Sequence, residues 1–443
     1  MSLKSFARSA LAFLACMAML QLAQSQTPMP SSPAGQVMAA FLSAMNSADP
    51  HQLGDYVRRY DGTSTVDELL AFSSSTGGFS VVSIASSDPE DLKVVLRGRS
   101  DKVLSFADLR LASIAPERVR SLTIRALPTG AKVDDAPLNE EIRKQTLYTL
   151  EEDLTADYID PAVADRMVNK LRENQASGAY KALTDGDEFA DALTQELRTV
   201  SHDGHLFVAY SPALSPDGNA AAVPGPAEIT KYRGAQKRDN CSFSEIRILP
   251  RNIGYLKFDE FADPEECGPT VVAAMGFLAH VDALIVDLRG NHGGQPAMVQ
   301  LILSYFFDKP THLNDIYIRP DNTTTQYWTL PYVPGARLPD VPLYVLTSKH
   351  TFSGGEEFAN DLKSQRRATI VGEQTGGGAH PLTVIPIGDH FVAGIPIGRP
   401  INPITHGDWE GTGIAPDVEV PATDALATAE KLARANILAS QAH

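Results

Sequence analysis

Residues 341–362 read VPLYVLTSKHTFSGGEEFANDL. Val341 to Leu346 is a short apolar run with the length of a buried strand. From Phe358 the spacing becomes helical. Ser353 therefore sits at a strand-to-helix turn, followed at once by Gly354 and Gly355. This serine has two readings. As an N-cap it forms, with Glu356 three residues on, the sequence of a capping box. As a nucleophile it projects from a sharp turn, and the N–H groups of the helix start face any negative charge that develops. The stretch alone is compatible with both.

The flanking sequence has the same rhythm. Ile253–Phe258 reads as a strand and Pro264–Leu278 as a helix. Ala283–Asp287 (ALIVD) is a continuous apolar run, as expected of a strand buried on both faces. It enters LRGNHGG, residues 288–294. A glycine-rich turn between strand and helix presents backbone N–H groups to an anion. The chain has neither a Walker Gly-Lys-Ser/Thr nor a Gly-x-Gly-x-x-Gly, which argues against nucleotides. An oxyanion hole uses the same physics. Asp287 and Arg289 are expected to hold loops together as a buried pair. A helix over Ala297–Phe306 follows, then an irregular stretch, 308–342, suited to lining a substrate groove. Beyond Ser353 come a strand, Ala368–Val371, and a second glycine loop, Gly372–Gly378. Strands near Leu382–Ile387 and His390–Ile395 precede a long loop containing Trp409-Glu410-Gly411. Asp424–Ala439 is expected to be helical, with Thr423 as its N-cap. Strands alternating with helices make this an α/β core over residues 246–443.

The N-terminal half differs. Residues 1–25 have the charged start, apolar middle and small-residue end of a secretory signal, too short to span a membrane. Helices at Val37–Met45, His51–Tyr60 and Thr65–Phe72 precede strands at Phe79–Ile84, Leu92–Leu96, Val103–Leu111 and Val119–Leu127. This is a small α+β domain, residues 34–130, similar in outline to the cone-like fold of the nuclear-transport-factor-2 superfamily. A substrate-gathering or assembly role suits it, since it carries no catalytic constellation. Residues 138–210 read as a helical cap. It ends in SHDGHLFV (201–208), which sets His202 and His205 at a loop edge. Either can serve as a base near neutral pH. A lone histidine in a turn is more often an ordinary surface residue. Residues 211–245 are a polar, Pro/Gly/Ala-rich linker.

Composition limits the partners. The chain has 443 residues, 43% hydrophobic content and a net charge of −16. So negative a chain should repel nucleic acid and anionic lipid. No metal signature is present, and neither a metal nor another cofactor is expected. After loss of Cys16 with the signal, Cys241 and Cys267 remain. An even pair in an oxidising compartment suggests a disulfide, the alternative being two free thiols.

Taken together, ALIVDLRGNHGG (283–294), VLTSKHTFSGGEEF (345–358), RATIVGEQTGGG (367–378) and WEGTGIAPDV (409–418) resemble the C-terminal-processing, or tail-specific, family of serine peptidases. The resemblance runs from about Leu138 to Val420. It implies a crotonase-like spiral of ββα units and places Ser353 at the nucleophile. Many members pair that serine with a lysine at the position of Gly378, so a serine–lysine dyad is not expected here. Members similar to the tricorn core peptidase use a histidine and an acidic residue instead. The resemblance assigns these roles to His205, with His202 as runner-up, and to Glu410, with Glu356 as the alternative. It also implies an oxyanion hole from the N–H groups of Gly354 and Gly293, with His292, Thr351 and Gly377 lining the substrate site. The linker is too short for the peptide-binding insertion common in the family. That layout is closer to members similar to interphotoreceptor retinoid-binding protein. The expected activity is hydrolysis of peptides or unfolded protein by an exported enzyme. The rival is a carrier of apolar ligands on the same fold. An acyl-CoA enzyme of the crotonase type would need a basic patch that is missing here.

Overall fold

The computed structural model describes residues 28–61, 64–112, 115–127, 132–133, 138–211, 213–214, 232–234 and 236–441. The expected signal segment and most of the linker lie outside the described residues. The chain forms two compact units.

The first unit has helices Pro33–Ser47, Pro50–Arg59 and Val66–Thr76 and an antiparallel meander of strands Phe79–Ser87, Asp91–Gly98, Leu104–Ala112 and Ala115–Ala126. Each helix starts where a cap meets a good first residue. Ser32 and Asp49 cap helices that begin with proline, which suits the first turn because its N–H would be unpaired anyway. Thr65 and Glu68 form a capping box, with Glu68 Oε2 accepting from the Thr65 N–H at 2.8 Å. These caps explain why the first helix begins before its apolar periodicity does. Met38, Phe41, Met45 and Leu53 meet Leu92, Val94, Ala107 and Leu109 in the core.

The second unit begins with helices Glu140–Asp157, Pro161–Ser177 and Gly186–Ser201 and strand Phe207–Tyr210. The segment expected as a cap shares its core with the C-terminal part of the chain. Strand Phe207–Tyr210 pairs antiparallel with Phe391–Pro396, and Leu150, Phe189, Leu193 and Leu206 pack with Ile387, Phe391 and Ile395.

The main sheet has six strands in the order Val418–Glu419, Ala368–Gly372, Leu343–Thr347, Ala283–Asp287, Ile253–Phe258, Phe243–Leu249. All neighbours are parallel except the last pair. The strand Ala283–Asp287 is buried along its whole length. Leu284 and Val286 face helices that contribute Val271, Met298, Ile302, Phe358 and Leu362. Ala283 and Ile285 face Ala425, Ala429 and Ala433 of the C-terminal helix Ala425–Gln441. That helix is preceded by a short 3-10 turn over Ala422–Asp424 that contains Thr423, so Thr423 is not its cap. The stretch 308–342 is less irregular than expected. It contains a hairpin of His312–Ile318 and Thr323–Trp328. The second of these strands is mostly exposed, so it lacks the apolar alternation that reveals a strand in sequence.

Cys241 and Cys267 are bonded, with Cα atoms 5.7 Å apart. The bridge ties the entry of the antiparallel edge strand to helix Pro264–Phe277. It closes a loop of 26 residue steps, for which chain entropy gives roughly 3 kcal/mol. Cys267→Ala is expected to lower the denaturant-unfolding free energy by about that amount. Reductant should bring the wild type down to the same midpoint. Equal midpoints for the mutant and the oxidised wild type would refute a stabilising bridge.

Candidate active site

The site lies at the carboxyl ends of the parallel strands. Strand Ala283–Asp287 leads into an ion pair, with Arg289 Nε donating to Asp287 Oδ1 at 2.9 Å and the Tyr255 hydroxyl donating to Asp287 Oδ2 at 2.7 Å. Arg289 Nη1 reaches the Ala422 carbonyl at 2.7 Å. The pair holds loops, as its sequence suggested. Thr351 is fully buried. Its hydroxyl donates to the Leu288 carbonyl at 2.7 Å and accepts from the Ser348 N–H at 3.0 Å. It fastens two turns together, so the expected substrate-lining role does not fit an interior side chain.

Ser353 has φ 52° and ψ −121°, a region that residues with a Cβ seldom occupy. The helix Gly354–Ser364 starts directly after it. The capping box is present, and its carboxylate does more than cap. Glu356 is completely buried and accepts from the N–H groups of Ser353 at 3.0 Å, Gly377 at 2.7 Å and Gly378 at 2.8 Å, and from the Thr375 hydroxyl. Burial raises its pKa, opposed by these four donors. None of its bonds is to a histidine, so it locks the second glycine loop to the serine turn rather than orienting a base. Gly377 is part of that lock, with its carbonyl accepting from the Gly411 N–H at 2.8 Å. It is buried against the Gly411–Gly413 turn instead of facing a groove.

The first glycine turn presses on Ser353. A Cβ on Gly293 would stand 2.6 Å from the Ser353 Cβ and 2.8 Å from the Gly354 nitrogen. Gly293 has φ +102°, so glycine is required here for conformation as well as for space. Its N–H is engaged by Asn291 Oδ1 at 2.9 Å, which competes with the expected oxyanion role. The next nitrogen, that of Gly294, lies 3.2 Å from the place of a Cβ on Gly354. His292 is exposed beside this turn.

His202 and His205 separate clearly. His202 is the exposed C-cap of helix Gly186–Ser201, with φ 58°, and behaves as an ordinary turn residue. His205 is largely buried, its ring 4.7 Å from that of Phe352, the residue before Ser353. Its Nδ1 is buried without a hydrogen-bond partner and lies 4.0 Å from Asp203 Oδ1. Burial lowers its pKa, with Asp203 opposing.

Glu410 does not meet His205 directly. Its Oε2 accepts from the N–H groups of Ala379 at 2.6 Å and His380 at 3.1 Å, and lies 3.7 Å from His380 Nδ1. That nitrogen is 2.7 Å from Asp203 Oδ2, which also accepts from the Tyr158 hydroxyl at 3.2 Å. Asp203 therefore stands between His380 and His205. Burial pulls the His380 pKa down, but the bond to Asp203 and the charges of Asp203 and Glu410 hold it above the usual histidine range. Burial and the Asp203 charge push Glu410 up to about 7. Ligand atoms of Asp203, His380 and Glu410 lie within 4.8 Å of one another, near enough for a metal. The direct His380–Asp203 bond accounts for the cluster without one.

Sequence reasoning missed Asp203, His380 and Phe352. Asp203 stood in the quoted SHDGH turn, and His380 two residues past the second glycine loop. Their pairing across 177 positions leaves no local signal. Phe352 fills the space beside Gly378, its Cζ being 2.0 Å from where a Cβ there would lie.

A serine on a strained strand-to-helix elbow, against a glycine turn at the end of a parallel sheet, defines a hydrolase-like site on a mixed α/β fold. The chain belongs to peptidase family S41. The model of that family matches residues 252–420, and that of the N-terminal domain of Peptidase_S41 in eukaryotic IRBP matches residues 138–240. It is 25% identical over 184 residues to carboxy-terminal processing protease CtpB of Bacillus subtilis, covering 41% of this chain and 36% of the relative. It is 29% identical over 172 residues to the chloroplastic carboxyl-terminal-processing peptidase 2 of Arabidopsis thaliana, covering 38% and 32%. The chain thus spans about a third of the length of these curated relatives. Among solved structures, mature CPAF is similar at 14% identity and TM-score 0.47, with 68% of this chain and 98% of that chain covered. The tricorn protease is similar at 16% identity and TM-score 0.41, covering 84% and 44%.

Proposed function

We propose that this chain is an exported serine endopeptidase acting on peptides or unfolded protein. Ser353 is the nucleophile and His205 the base that takes its proton. Glu410 is the acidic member of the triad and acts through the Asp203–His380 pair, since Asp203 is the carboxylate beside His205. The tetrahedral oxyanion is met by the Gly354 N–H and by the Asn291–Gly294 turn. Gly293 frames that pocket, and Gly294 supplies the second donor while Gly293 stays with Asn291. The core is a crotonase-like spiral of ββα units, in which strands Ile253–Phe258, Ala283–Asp287 and Leu343–Thr347 each feed a helix that packs back on the sheet. Residues 138–210 bring the base, and residues 246–443 the nucleophile. The small N-terminal unit gathers substrate or serves assembly. Among the described residues no helix is long and apolar enough to cross a membrane.

The observation that carries this reading is the Ser353 backbone at φ 52°, pressed by Gly293. A cap has no need of such strain, and neither does a carrier of apolar ligands. The test is labelling of the mature protein with a fluorophosphonate, followed by peptide mapping. The adduct is expected on Ser353 alone. Labelling of another serine, or of none, would overturn the assignment.

A further inference from the structure

The six-stranded sheet ends on strand Phe243–Leu249. Among the described residues it pairs with Ile253–Phe258 on one side and with no strand on the other. Such an outer edge presents backbone N–H and C=O groups that can pair with another chain. Edges are commonly blunted by proline, lysine or a bulge. Here the register shifts only between Phe243 and Glu245, and Glu245–Leu249 runs regularly without proline or lysine. Ile246 and Ile248 on this strand are 39% and 44% exposed. Ile248 stands opposite Gly254, where a Cβ would meet Leu278 at 2.8 Å. Both isoleucines therefore point to the face that helix Pro264–Phe277 covers. Phe277, the residue before Leu278, is 57% exposed. An apolar margin of this kind differs from single exposed side chains and marks an interaction surface. Glu245 and Arg247 point to the opposite face. Arg247 Nε donates to Glu245 Oε1 at 2.9 Å, and the guanidinium lies 4.8 Å over the Tyr255 ring.

We propose that this edge joins two copies of the chain. Their strands Phe243–Leu249 pair antiparallel about a two-fold axis through Ile246. In that register Ile246 faces its own copy, Ser244 faces Ile248, and Glu245 faces Arg247 of the second copy. The interface is isologous, with the same patch on both sides. Charge selects the register. A two-fold axis through Glu245 or through Arg247 sets like charges directly opposite each other, which is destabilising. An axis through Ile246 gives two cross-strand pairs of opposite charge, which is stabilising. The strand is thus complementary to itself read backwards, and that complementarity identifies a second copy as the occupant. Pairing makes one continuous sheet of the two six-stranded sheets and covers Ile246 and Ile248. The inference is independent of the peptidase reading.

The test is sedimentation equilibrium of the full mature protein over a concentration series. Salt of about 0.15 M screens repulsion between two acidic chains beyond about 8 Å. The wild type is expected at twice the mass of one chain. Glu245→Arg alone, or Arg247→Glu alone, turns both cross-strand pairs into like charges. Each should weaken association by about tenfold or more. Ile246→Lys sets two like charges on the axis and should do the same, which serves where a charge variant fails to fold. The double variant, Glu245→Arg with Arg247→Glu, restores opposite charges in reverse order and should regain association. The two single charge variants, mixed, should form a mixed dimer, since each supplies the sign that the other lacks. A wild type that stays monomeric at every concentration overturns the proposal and leaves the edge to another partner. A dimer whose dissociation constant is unchanged in all three single variants also overturns it and lies on another surface. A double variant as weakly associated as the single ones overturns the register.

Discussion

Ser353→Ala is expected to abolish peptide hydrolysis, lowering turnover by at least about 10³-fold, as loss of a catalytic nucleophile does in other serine hydrolases. The fold should remain, because the lost cap is worth about 1 kcal/mol. Ser353→Gly gives a sharper result. A side chain at this serine's φ of 52° carries about 1–3 kcal/mol of strain. Glycine adopts the same backbone freely, against about 0.5–1 kcal/mol for its greater loss of chain entropy. The glycine variant should therefore be inactive and no less stable than wild type. Turnover on a chromogenic peptide and denaturant midpoints measure both. Wild-type-like turnover in either variant would end the serine-peptidase proposal. A clear loss of stability in the glycine variant would show that the elbow is not strained.

The second large effect concerns the base. His205→Ala should cost several orders of magnitude in turnover, Glu410→Gln less, and His202→Ala least, since His202 is an exposed helix cap. The base must be neutral to accept the serine proton. Burial lowers the His205 pKa, so its neutral form persists below the ordinary histidine value of about 6.5. Activity should accordingly survive mild acidification and fall only below that value. His380 sits the other way, its pKa raised by its bond to Asp203. His380→Asn should thus change the pH profile more than it changes the midpoint of unfolding. If neither His205→Ala nor His202→Ala affects turnover, and the profile shows a base titrating well above pH 8 (roughly two units above ordinary histidine), the base is a lysine from another part of the chain. No lysine lies between Ala368 and Asp424 to supply it.

The parts legible in the sequence share a property. The strand Ala283–Asp287 is apolar up to its terminal Asp287 because both its faces are covered, and its bounds equal the expected ones. Ser353 was legible because strand, turn and helix follow within a few residues. The hairpin at 312–328 was not, because its exposed strand needs no apolar alternation. The acidic side of the site was only half legible. Glu410 is marked by its motif, but its neighbours Asp203 and His380 are joined by folding alone. Gly293 was identified as part of the turn, yet its engagement by Asn291 depends on a side-chain rotamer that no pattern encodes. Glu356 shows how one residue can satisfy two readings. It completes a capping box, and the same carboxylate ties the serine turn to a loop 21 and 22 residues further on.

Phe352 has a consequence for how this lineage could change chemistry. The lysine that many relatives carry corresponds to Gly378, but here the phenyl ring occupies the room its side chain would need. A change at position 378 alone would collide with the ring, and shortening Phe352 alone would uncover His205, against which it lies tilted. Each single step is expected to harm the proposed site, and only the pair in combination would restore a working base. Under the proposed histidine mechanism the two chemistries would thus be separated by a valley of sign epistasis, with an aromatic residue that does no chemistry itself holding the site to histidine.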